Sequence, residues 1–179
     1  MMITIKFLAE TGILAILLTL AGWGFVFKNS RSLALQSEIN TIAAAMEKLL
    51  QEIADENYKF WKDVKDDDMD HLTKSKLFSS YIEHRCNIIE RKIDIIYGKC
   101  CKTINPEVEK LGFNSKCIDL IAKIRDRSTI NSEQPKQVKE KYGRINAINS
   151  YTLKLSNEIS RLVTTRSKPM SEWEWPHNY

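Results

Sequence analysis

The sequence predicts an all-α protein, with a single N-terminal transmembrane helix followed by a cytosolic helical bundle. Three observations predict it. Residues 7–27 (FLAETGILAILLTLAGWGFVF) carry one ionisable side chain, Glu10, and are apolar or small from Gly12 to Phe27 apart from Thr19. Glycine and proline are scarce, 6 and 4 of 179 residues, which favours long helices over a turn-rich design. Beyond residue 32 the apolar residues recur three and four apart, the period of an α-helix.

The N-terminal stretch comes first. A hydrocarbon core of roughly 30 Å needs about 20 apolar helical residues, and residues 7–27 meet that length. Trp23, Phe25 and Phe27 sit near its end, where aromatic rings favour the interface, and Lys28 and Arg31 follow. A cleaved signal peptide is one competing reading; Lys6 and the Ala21-Gly22 region match it in part, but large residues follow with no clean small-x-small site. A buried core helix is the other, and it lacks a polar face. The flanking basic residues favour an outside N-terminus and a cytoplasmic body.

Gly12, Ala15, Thr19 and Gly22 recur at spacings of three and four, so they share one side of a helix. Small residues so spaced let membrane helices approach closely. They fit self-association into a bundle or a pore-lining ring, with Glu10 repeated at one mouth. They also fit the ordinary abundance of small residues in membrane spans, and Glu10 fits an interfacial carboxylate paired with Lys6.

Past the span, Asn29-Ser30-Arg31-Ser32 predicts a break. A long helix is then expected over residues 33–64, with Leu35, Ile39, Ile42, Met46, Leu49, Ile53, Phe60 and Val64 along its seam. Residues 65–71 (KDDDMDH) imitate the opening of a calcium loop, but His71 stands where Gly is needed and Leu77 where a bidentate Glu should be. They read as a solvated acidic turn. A second helix is expected over residues 73–103, with Ile82, Cys86, Ile89, Ile93, Ile96 and Cys100 on one stripe. Asn105-Pro106-Glu107 is a helix start, and Gly112 should end or kink that piece. Another helix from Ser115 would carry Ile118, Ile121 and Ile124 on one face; residues 128–135 form a loop. The last helix, over residues 136–166, carries Ile145, Ile148, Thr152, Leu155, Ile159 and Leu162. The domain layout is thus 1–28 for the N-terminal segment and transmembrane helix, 29–167 for the up-down bundle and 168–179 for an aromatic tail. Trp173, Trp175 and Tyr179 mark that tail as a contact for the bundle, a neighbouring copy or a partner.

Chemistry is sparse. The net charge of +4 is mild and demands no polyanionic partner. The 4 cysteines form no CxxC pair, and the 3 histidines have no ligand spacing with them, so zinc and other metals are not expected. Reduced thiols fit the cytosol. No P-loop, GxSxG or HExxH motif occurs, so no catalytic or cofactor-binding residue is assigned and no cofactor is expected. Glu83, His84, Arg85 and Glu90 cluster on one helix, as an acid–base group or as an exposed charged face. Basic residues gather at Lys123, Arg125 and Arg127 and again at Lys136, Lys139, Lys141 and Arg144, interleaved with acids and without an aromatic platform, so stable nucleic-acid binding is not expected.

One N-terminal span, an all-helical cytosolic body and a cysteine-containing sequence rich in Lys, Ile and Asn resemble the small membrane accessory proteins encoded beside type VI-B CRISPR RNA-targeting effectors. The resemblance covers the plan of the whole chain. It implies a divergent HEPN-like helical domain, a ring-shaped homo-oligomer in the bilayer that forms a pore, and a functional partnership with an RNA-guided effector in antiviral defence. A HEPN nuclease needs Arg a few residues before His; His71, His84 and His177 lack one. The expected function is therefore a pore-like assembly that permeabilises or depolarises the membrane, without enzymatic activity. The alternative is a membrane-tethered adaptor that recruits a partner protein without pore activity.

Overall fold

The computed structural model describes residues 12–63, 70–100, 106–134 and 140–166. Among these are four α-helices and no strand: α1 (Ile13–Asp63), α2 (His71–Cys100), α3 (Pro106–Thr129) and α4 (Lys141–Arg166). The chain divides into two units, Met1–Glu38 and Ile39–Tyr179.

In the first unit, α1 runs through residues 29–32 without the expected break. Asn and Ser cost a helix interior only about 0.5 kcal/mol each, and no Gly or Pro lies between residues 28 and 38 to enforce a stop. The helix begins at Ile13, long and apolar enough near the N-terminus to cross a membrane.

The second unit is built on the apolar spacing of its helices. Ile39, Met46, Leu49, Leu50 and Ile53 of α1 are buried, and Ile42 is half-buried. The seam then departs from expectation. Asn57 and Trp61 are fully buried, whereas Phe60 is only partly so. The step of four from Ile53 to Asn57 to Trp61 keeps one face inward, and Asn57 Nδ2 donates to the Ile53 carbonyl at 2.8 Å. From α2 come Ile82, Cys86, Ile89, Ile93 and Ile96, and from α4 Ile145, Ile148, Leu155, Ile159 and Leu162, all buried as the spacing predicts; Phe78 of α2, beyond the expected stripe, joins them.

In α3 two corrections apply. The helix continues through Gly112, because the loss of about 1 kcal/mol for a helical glycine is outweighed by burying Phe113, Cys117, Leu120, Ile121 and Ile124 behind it. Ile118 is 52 % exposed. Repeated steps of three drift round a helix of 3.6 residues per turn, so the inward face is Cys117, Ile121 and Ile124 instead. The helix also extends to Thr129, past the loop start expected at Ser128.

Cross-helix contacts set the directions. Between α1 and α2, Glu52 pairs with Arg85, and the later Phe60 stacks on the earlier Phe78 with centroids 3.9 Å apart. Between α2 and α3, Asp94 accepts from Asn114 at 3.2 Å and the earlier Glu90 from the later Arg125 at 2.9 Å. Between α3 and α4, Lys116 pairs with Glu158, and the Ile130 carbonyl just after α3 accepts from Arg144. Between α4 and α1, Ser156 donates to Glu47 at 3.3 Å, and Arg144 covers Trp61 at 4.3 Å. In every pair, numbers rise on one helix as they fall on the other. Residues 39–166 are thus an up-down-up-down four-helix bundle.

Candidate functional site

The sequence-predicted residues of the first unit fall out as follows. Gly12 precedes the helix, with φ 73°, and its carbonyl accepts the first intrahelical bond from Ile16 N at 3.2 Å. It is therefore the N-cap, a position glycine tolerates, and its left-handed φ explains the missing side chain. This corrects its expected place on the helical face, which begins at Ala15. Ala15, Thr19 and Gly22 lie within α1. The Thr19 hydroxyl donates to the Ala15 carbonyl at 2.8 Å, so the one polar side chain of that face satisfies its donor within the helix. Gly22 has no atom within 4 Å of the place a Cβ would occupy. Around these, Ile16, Leu18, Trp23 and Phe27 are each more than 60 % exposed. Glu10, Trp173, Trp175 and Tyr179 lie outside the described residues, as do Lys6, Cys101, Lys136, Lys139 and most of the acidic turn.

The Glu83–Glu90 cluster separates in the bundle. Arg85 turns toward Glu52, and Glu90 receives Arg125, which also donates to Asn87 at 3.1 Å. Glu83 and His84 are exposed. Arg85 and Glu90 thus turn to partners on two different helices. Cys86 and Cys117 are free and buried. Removal from water pushes the Cys86 thiol up to about 11 and the Cys117 thiol to about 12. Both are inert packing groups near neutral pH. Among the described residues, no group of three or more His, Cys, Asp or Glu side chains is placed to hold a metal ion.

Two constellations that the sequence did not reveal are assembled by the bundle. At one end, His71 Nε2 donates to the Ser132 carbonyl at 2.8 Å, and Ser75 donates to the Ser132 hydroxyl at 2.8 Å. These bonds fasten the turn after α3 onto the start of α2. Beside the same turn, Arg144 stacks on the fully buried Trp61 and donates through Nη1 to the Ile130 carbonyl. Arg144 also borders a cleft of about 370 Å³ with Lys123, Asp126, Arg127, Ile130 and Tyr151. Burial, and then the nearby Arg127 charge, lower the pKa of Arg144. Spacing carried a partial signal: Lys123 and Arg127 are four apart, and Arg144 and Tyr151 seven apart, so each pair shares a helix face. Which faces meet depends on the antiparallel packing of α3 and α4.

Comparison with protein-family models, curated proteins and solved structures returned no match.

Proposed function

We propose that this chain is a membrane-anchored helical protein whose copies assemble through their N-terminal helices into a pore-like structure that permeabilises or depolarises the membrane. One observation carries the reading. The large apolar side chains at residues 13–27 of α1 are exposed, while residues 39–162 bury a full core of their own. Exposed apolar surface on this scale has a favourable place only in lipid or against another apolar surface. The helix meets the length a bilayer requires. Ala15, Thr19 and Gly22 offer a low-relief strip against which a second copy packs. The bundle contributes a rigid cytoplasmic body. Opening a path for ions needs no covalent chemistry, so no side chain is given a catalytic role. In the plan of its chain the protein resembles the accessory proteins of type VI-B CRISPR systems, and enhancement of RNA-guided antiviral defence at the inner membrane is the setting in which the proposed activity fits.

The test is the mass of the full-length protein in detergent, by light scattering corrected for bound detergent, followed by ion flux from liposomes. A discrete large oligomer that releases ions supports the reading. A monomer or dimer leaves too few helices to line a pore, and with no ion flux it transfers the assignment to a membrane-tethered adaptor.

A further inference from the structure

We propose that the cleft between the C-terminal half of α3 and the N-terminal half of α4, lined by Lys123, Arg127, Arg144 and Tyr151, binds a phosphate group carried by a small soluble molecule or by a lipid headgroup.

Arg144 is held in place by the protein itself. Its guanidinium lies on the Trp61 ring at 4.3 Å and commits one N–H to the Ile130 carbonyl. A guanidinium has five N–H donors in a planar fork. Fixing one donor and one face orients the others before a ligand arrives, so little side-chain entropy is lost on binding.

The cleft also concentrates charge. Arg127 approaches Arg144 closely enough to disfavour its ionised form, and it has no ion-pair partner among the described residues. Lys123, on the same face of α3, shares its charge with Asp119. Lys154 lies 5.9 Å from the Tyr151 ring at the α4 edge. Asp126 is the one carboxylate lining the cleft among the described residues. Positive charge therefore converges from two helices on one partly enclosed space. Like charges held close together repel, and a bound anion offsets that cost.

The anion's chemistry follows from the donors. Planar guanidinium forks match phosphate oxygens two at a time, and a phosphate dianion accepts from several directions at once. The volume of about 370 Å³ is of small-ligand size. The cations Lys123, Arg127 and Arg144 line one space, and among the described residues no array of aromatic side chains stands ready to stack successive bases. That separates the cleft from a single-strand nucleic-acid groove.

The experiment uses full-length protein in nanodiscs of neutral lipid, titrated calorimetrically with inorganic phosphate and with adenosine 5′-monophosphate. A second arm replaces part of the lipid with phosphatidic acid and reads the melting temperature of the bundle. Arg127→Gln is the main variant, because Arg127 is exposed and removing its charge leaves Arg144 and its Trp61 contact in place. Arg144→Lys is the second; it keeps the charge and removes the fork. A soluble source gives saturable binding of the phosphate probes, weakened about tenfold or more by either variant. A lipid source gives a rise in melting temperature in the phosphatidic acid discs alone, lost in Arg127→Gln. No saturable response in either arm overturns the proposal. So does a response that Arg127→Gln leaves unchanged, or binding of a single-stranded RNA without any response to the phosphate probes.

Discussion

Arg85 of α2 places its Nη2 3.0 Å from Glu52 Oε2 of α1, and its guanidinium covers the Tyr81 ring at 4.9 Å. The contact is an ion pair rather than a well-aligned hydrogen bond, since Glu52 Oε2 has no hydrogen-bond partner by geometry. Both side chains are about 30 % exposed, so solvent screens much of the attraction. Arg85→Ala should destabilise the bundle by about 1 kcal/mol, through the lost pair and the lost ring contact. Thermal melts at low and high salt check this. The difference from wild type should shrink as salt rises; a difference near zero at low salt would show the pair to be energetically silent.

The core makes a larger demand. Ile148 is completely buried on α4, as are Ile53, Ile89 and Ile93 on the other helices. Ile148→Ala removes buried methyl and methylene groups and leaves a cavity, which should cost about 3 kcal/mol and lower the melting temperature by roughly 10 °C. Ile148→Val should cost about 1 kcal/mol. A melt of the alanine variant within a degree of wild type would contradict this packing.

Gly112 lies inside α3, is exposed, and, its own helical backbone aside, has no atom of the described residues within 4 Å of the position a methyl group would take. Gly112→Ala should therefore stabilise the protein by about 0.5–1 kcal/mol, since the helix gains propensity and no atom obstructs the methyl. A lower melting temperature in this variant would mean that α3 bends at this point.

Gly22 offers the cleanest probe of assembly. Its own helical backbone and chain neighbours aside, no atom of the described residues lies within 4 Å of a Cβ placed there, so a larger side chain has room within the chain and reports on what packs against it. Gly22→Leu should reduce the oligomer mass and the ion flux from liposomes, while the melting of the bundle stays as in wild type. Gly12→Leu is a poorer test, because φ 73° strains any side chain whatever the packing. Unchanged mass and flux in Gly22→Leu would remove the small face from the assembly interface.

The buried thiols give a pH dependence. The folded values of Cys86 and Cys117, about 11 and about 12, lie above the usual thiol value, so the folded state binds these protons more tightly than the unfolded state. Their contribution to stability is fully present below about pH 8.5. It is lost as pH rises from there through the folded values. Peptide-mapped alkylation at about pH 8, just below the ordinary thiol value, should leave both residues unmodified in the native protein and label them once it is unfolded. Rapid native labelling of either would place its thiol at the surface.

Much of the fold is legible because helices announce themselves locally. Ile82, Cys86, Ile89, Ile93 and Ile96, and likewise Ile145, Ile148, Leu155, Ile159 and Leu162, are buried where their spacing puts them. The departures lie where the local signal is weak. At Asn29–Ser32 it is a residue preference of roughly a few tenths of a kcal/mol, too small to stop a helix; at Gly112 the helical penalty is outweighed by the apolar residues buried behind it; at Ile118 a short run of threes drifts off the inward face. Of the expected site residues, Ala15, Thr19 and Gly22 lie on α1, Gly12 is its cap, and the rest fall outside the described segments.

The helical class, the apolar N-terminal helix and most of the core are written into the chain locally, because periodicity and length are properties of neighbouring residues. Which charges meet is settled by packing alone. It draws Arg85 to Glu52 and Arg125 to Glu90, scattering the apparent acid–base cluster. It also lays Arg144 on Trp61, with Arg127 beside it. Residues as far apart in the chain as Trp61 and Arg144 become neighbours only when antiparallel helices fix their register, and no local pattern encodes that register.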